Sequence, residues 1–139
     1  MAPSQQEITA IFQKIGPKGG NFMDHADADV KLEVMGHDHQ SKSSHESHKS
    51  MAEEFFGQFD FVDWDTIEIK VRQVIGGDSS PWASVELIST GKSKKGEPIN
   101  HEFVFITHFN KAGHIDEIRA YLDSGHLDEH HTSHKGCSK

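Results

Sequence analysis

Near the end of the chain, Arg119, Tyr121 and Asp123 recur at every second position of GHIDEIRAYLD, the spacing that puts side chains on one face of a strand. An arginine, a phenol and a carboxylate on one face are the materials of acid-base chemistry. A carboxylate held between aromatic walls loses its solvation and binds its proton more tightly, and a nearby imidazolium pulls it back toward ionisation. Such a group could give or take a proton near neutral pH. The plainer reading is that Asp123 ends a strand and accepts nearby backbone N–H groups, with Arg119 and Tyr121 an ordinary surface or interface pair. Trp64 and Trp82 either line a pocket or fill the core.

Of twelve histidines, eight cluster at His37 to His48 and His126 to His134. His37-x-His39 and His126 with His130 have spacings a metal could use, but no cysteine accompanies them and HESH lacks the zinc-protease spacing. No metal is assigned. Titration of several imidazoles near pH 6.5 predicts a pH-sensitive solubility or association.

The elements that must position these groups follow from periodicity. Ser4 and Glu7 form a capping box before Ile8, Ile11, Phe12 and Ile15, one helical stripe that Gly16-Pro17 ends. A short helical segment at 21–26 and a half-buried strand carrying Val30, Leu32 and Val34 come next. A polar loop over 36–44 leads to a third helix near 45–59, burying Met51, Phe55, Phe56 and Phe59. From residue 66 the pattern is four strands at 66–75, 82–90, 99–109 and 114–123, separated by glycine-bearing turns. Consecutive strands with short turns form an antiparallel meander, and the helices must cover one of its faces. This is an α+β domain over 1–123, with a polar His-rich tail at 124–139 that has room for one helical turn.

At 139 residues the chain has one core. Its net charge of −8, from 22 acidic and 14 basic residues, argues against a nucleic-acid partner or an anionic membrane surface. No apolar run approaches the roughly 20 residues needed to span a bilayer, and the N-terminus lacks a signal pattern. The single cysteine, Cys137, cannot form an internal disulfide, so a cytoplasmic address is expected.

Two stretches, NFMDHADADVKLEVMG and GEPINHEFVFITHFNKAGHIDEIRAYLD, resemble the SnoaL-like polyketide-cyclase branch of the nuclear-transport-factor-two-like (ketosteroid isomerase-like) superfamily. The resemblance covers residues 22–123. It implies a cone-shaped curved antiparallel sheet closed by N-terminal helices around a cavity. It also implies a cofactor-free cyclase, isomerase or dehydratase acting on an apolar, carbonyl-bearing natural product, or else a ligand-binding or dimerisation module of the same fold. Asp123 matches the acid-base position. His101 stands where an asparagine usually faces that carboxylate, with Phe103 and Phe105 opposite Tyr121 and Arg119. The turn carries one extra residue, so this pairing needs a bulge or a longer loop, and a one-residue slip would flip every side chain. His25 and His37 flank the first strand near the implied cavity mouth, and Trp64 is a further lining candidate. A homodimer through the sheet's outer face is expected, since one helical layer leaves that face in need of cover. The usual Pro-Leu-Ala-Gly run after Gly36 is replaced by His37-Asp38-His39-Gln40-Ser41.

Overall fold

The computed structural model describes residues 3–36, 44–123 and 126–127. Helix α1 spans Gln5–Phe12, and Ser4 caps it as its sequence predicts: Glu7 N–H donates to Ser4 Oγ at 3.1 Å while Ser4 N–H donates to Glu7 Oε1 at 3.1 Å. A 3-10 segment over Pro17–His25 follows, then strand β1 at Ala26–Val34. The two-residue strand β2, Ser44–His45, was not expected; it takes the start of what the sequence offers as a third helix. Helicity begins instead at His48, where the Ser47 hydroxyl accepts from Ser50 N–H at 3.0 Å. It continues as a π turn at Met51–Phe55 and a 3-10 turn at Phe56–Phe59.

Strands β3 (Glu68–Gly76), β4 (Trp82–Lys92), β5 (Pro98–Phe109) and β6 (Ile115–Tyr121) form the expected meander. The sheet order is β2-β1-β6-β5-β4-β3, with β1 running parallel to β6. Gly76 holds the β3–β4 turn at φ +96°, and a Cβ there would strike the Trp82 carbonyl oxygen.

One face of the sheet is dry. Ala83, Val85 and Leu87 of β4 alternate inward and meet Phe105 of β5 and Ile118 and Ala120 of β6. The helical layer supplies Ile8, Phe12, Phe22, Phe55 and Phe56, with Phe12 4.9 Å from Phe22 and Phe55 4.8 Å from Phe56 between ring centroids. A second cluster of Phe61, Val62, Ile99 and Leu127 seals one end. Leu127 falls in the stretch expected to be a tail, yet it is buried.

Candidate functional site

The hairpin that was expected to pair Asp123 with His101 has a different register. Next to the turn, Phe109 lies opposite Ile115, the register that carried on without interruption would set Phe105 against Arg119 and His101 against Asp123. A bulge intervenes. His108 pairs with Glu117, leaving Asp116 as an extra residue on β6, and from there Ile106 faces Arg119, Phe105 faces Ala120 and Val104 faces Tyr121. Because side chains alternate, this one-residue shift puts Ile118 and Ala120 inward and Arg119 and Tyr121 outward.

The expected site residues therefore separate onto the two faces of the sheet. His101, Phe103 and Phe105 face the interior and line a hollow, joined by Trp64. Arg119, Tyr121 and Asp123 lie on the outer face. Arg119 sits 5.1 Å over the Trp82 ring and 3.3 Å from Glu117 Oε2, and Tyr121 is 45% exposed. The Asp123 carboxylate accepts from His126 N–H at 3.3 Å, capping the turn whose Leu127 N–H donates to Asp123 O at 3.1 Å. His101 does reach Asp123, but through the backbone: Asp123 N–H donates to His101 Nε2 at 3.2 Å.

That bond fixes the chemistry of His101. A backbone N–H only donates, so Nε2 is the acceptor and the ring is neutral with its proton on Nδ1. The imidazole stacks on Phe103 at 4.6 Å and 14°. In this state it is a hydrogen-bond donor, and Nε2 would have to release the Asp123 amide before accepting a proton.

The hollow lies between the helical layer and strands β3 to β5, walled by Phe55, Phe59, Phe61, Ile69, Phe103 and Phe105 among others. Its volume is about 50 Å³, well below the roughly 300–1,000 Å³ of sites for drug-sized ligands. Among the described lining residues there is no Asp, Glu, Lys or Arg; polarity comes from Ser89, His101, His126 and the Trp64 indole. Ser89 and His101 are cross-strand partners. Ser89 was not among the residues singled out from the sequence, and His126 was singled out only for a metal spacing, not as part of a pocket. The alternation Ala83-x-Val85-x-Leu87-x-Ser89 carried the signal for the first, since it continues the inward face of β4.

His25 stands elsewhere, its Nε2 3.3 Å from Lys14 Nζ. Desolvation, then the Lys14 ammonium, holds its pKa below the usual imidazole value, against the pull of Asp24. His37 and most of the His-rich C-terminal stretch lie outside the described residues. Among the described residues no cluster of three or more His, Cys, Asp or Glu side chains is arranged to hold a metal. None of the described helices is long and apolar enough to cross a membrane.

No family model and no curated protein sequence matches the chain. Solved structures do match its fold. It resembles the BvnE pinacolase of Penicillium brevicompactum with a TM-score of 0.71 at 10% identity, covering 96% of this chain and 93% of that one. It also resembles AusH from Aspergillus nidulans, TM-score 0.67 at 17% identity over 88% and 87%. A third is a Catenulispora acidiphila protein described as having a ketosteroid isomerase-like fold, solved with trimethylamine, TM-score 0.65 at 9% identity over 91% of each. With a curved six-stranded sheet backed by short helices over an apolar hollow, the chain has the nuclear-transport-factor-two-like, ketosteroid isomerase-like fold.

Proposed function

We propose that this protein binds a small, uncharged, largely hydrocarbon molecule in the hollow between its sheet and its helices. The observation that carries the reading is the lining: aromatic and aliphatic on every side, without a charged side chain among the described residues. Burying an ionised ligand there without a partner would cost several kcal/mol, on the order of 2–7 even for an unpaired neutral polar group, so the occupant is neutral. A hollow of about 50 Å³ is small beside ordinary ligand cavities, so a drug-sized occupant requires a wall to move. The Met51–Phe59 wall suits this, because a π turn passing directly into a 3-10 turn interrupts the regular i to i−4 ladder.

The catalytic version of this reading is a cofactor-free cyclase, isomerase or hydro-lyase acting on an apolar carbonyl compound. It is favoured by the structural likeness to a pinacolase and by the place of His101, an imidazole on the wall of the hollow beside Phe103. In it, Phe103, Phe105 and Trp64 orient the substrate. Asp123 contributes by capping the turn beside the pocket. Turnover of a carbonyl substrate tests the assignment: His101→Phe abolishes it, while Asp123→Asn, which keeps the capping oxygen, leaves it intact. The opposite result returns Asp123 to the acid-base role.

Binding itself is read by methyl NMR. Cyclohexanone added to isoleucine-methyl-labelled protein shifts Ile69 and Ile99, which line the pocket, and leaves Ile75, 53% exposed on β3, unmoved. Shifts confined to Ile75 would refute the pocket. We also propose a homodimer through the outer face, where Ile75, Trp82 and Tyr121 are solvent-accessible on one sheet surface. A monomer in sedimentation at high concentration ends that proposal.

A further inference from the structure

Five polar residues in the described part of the chain are buried: His45, Ser89, Ser93, His101 and Thr107. Four have partners. His45 Nδ1 is 2.8 Å from Ser50 Oγ, and Ser93 Oγ accepts from the N–H groups of Lys95 and Glu97 at 3.2 and 3.1 Å. His101 accepts from Asp123 N–H, and Thr107 donates to Phe105 O at 3.4 Å. Ser89 is different. It is 8% exposed, it lines the hollow, and among the described residues nothing hydrogen-bonds its hydroxyl.

An orphaned buried hydroxyl carries a desolvation penalty, and buried polar side chains in native proteins ordinarily have a partner. None of its neighbours among the described residues hydrogen-bonds it. On β3 its cross-strand partner is Ile69, on β5 it is His101, and the remaining walls nearby are aromatic. A buried water satisfies itself through two to four polar contacts, and this apolar corner is poor in them. A ligand that brings its own hydrocarbon body and presents one oxygen fits both features.

We propose that Ser89 is the anchor of the pocket, its Oγ–H donating to a carbonyl oxygen of an uncharged ligand whose hydrocarbon part lies against Phe103 and Phe105. The inference rests on the pocket reading given above and adds the residue and the functional group that orient the occupant. His101, the cross-strand neighbour, is the wall against which the carbonyl is set. The carbonyl needs no charge on the protein, and the site has none to give.

The test compares cyclohexanone with methylenecyclohexane, which has the same shape but a CH2 group in place of the oxygen, by isoleucine-methyl NMR titration on wild type and Ser89→Ala. The substitution weakens cyclohexanone about fivefold, the equivalent of one neutral hydrogen bond, and leaves methylenecyclohexane within about twofold. Ser89→Ala melts no lower than wild type, because the hydroxyl it removes has no internal partner among the described residues; a clear drop in melting temperature would show that it has a partner elsewhere in the chain and overturn the proposal. Equal changes for both probes, or none for either, overturn the role of Ser89 while the pocket stands. A fivefold effect on cyclohexanol with none on the ketone overturns the carbonyl assignment. If neither probe moves a pocket methyl in wild type, the pocket and the anchor fall together.

Discussion

Truncating Leu127 to alanine should open one end of the hollow without unfolding the domain. Leu127 is 2% exposed and packs with Phe61, Val62 and Ile99. Full burial of such a side chain contributes about 1.5–3 kcal/mol, and deletion to alanine in a core costs about 2–5, the upper end reflecting a cavity that cannot relax. Here the space left behind joins an existing hollow, so about 2 kcal/mol is the appropriate figure. Against that loss the turn retains one hydrogen bond to β5, Asn100 N–H to His126 Nε2 at 3.2 Å, and its own cap on Asp123. One such bond nets about 0.5–1.5 kcal/mol and cannot hold the turn alone. The turn therefore detaches locally. Amide hydrogen exchange reads this directly: the Asn100 amide, released from His126, exchanges about 30-fold faster, since about 1.4 kcal/mol is tenfold in a population. The Asp123 amide, held by His101 from the other strand, changes far less, and the denaturant midpoint of the whole domain shifts little. A full 2 kcal/mol fall in global stability with Asn100 no faster than its neighbours would refute the reasoning, since Leu127 would then belong to the one cooperative core.

His45 predicts how stability depends on pH. Desolvation holds its pKa below the usual 6.5 even though Glu54, 3.8 Å away, pulls the other way. The unfolded chain thus binds the proton more readily, so this contribution is intact above about pH 6.5 and is lost as pH falls from there toward the folded value. Urea midpoints at pH 7.5 and 5.5 should differ by less in His45→Gln than in wild type. Asp123→Ala, which removes the carboxylate accepting from His126 N–H, weakens docking of the turn by about 0.5–2 kcal/mol, whereas Asp123→Asn is near neutral by the same exchange assay. Gly76→Ala is strained at φ +96° and drives a Cβ into the Trp82 carbonyl, so it lowers the melting temperature. Gly57→Ala meets nothing within 4 Å and stiffens the Met51–Phe59 wall, so it should raise stability by about 0.4–1 kcal/mol in denaturant titration and slow ligand entry.

Much of the architecture was legible because it is written in periods. The capping box at Ser4 and Glu7, the Ile8-Ile11-Phe12 stripe and the four glycine-separated strands each stand where the pattern puts them. What was not legible came from contacts distant in sequence. Ser44 and His45 read as the approach to a helix because their partners, Glu33 and Leu32, lie across a polar loop. Nothing local reveals an edge pairing of two residues. Trp82 had two candidate positions, in the pocket or in the core, and took neither; it lies on the outer face, edge-on to His108 at 4.7 Å and beneath Arg119.

The candidate site turned on a single residue. Reading β6 as a strict alternation from His114 to Asp123 groups Arg119, Tyr121 and Asp123, which is correct, but it leaves open which side of the sheet they share. The apolar residues decide that: Ile115, Ile118 and Ala120 are spaced three and then two, and only a bulge between the first pair lets all three face inward. Burying Ile118 and Ala120 at roughly 25 cal/mol per Å² outweighs keeping an uninterrupted ladder, and the alternative register would bury Arg119 and Tyr121 against a core with no charged partner to meet them. The bulge also places Asp116 where its Oδ1 lies 2.6 Å from His108 Nδ1, so the extra residue is tied down by a hydrogen bond on the outer face. Once Asp116 is bulged, the polar content of the hollow is no longer set by the closing strand. It passes to the neighbouring strands β4 and β5, to Ser89 and His101, whose neutral hydrogen-bonding groups suit recognition of an uncharged oxygen.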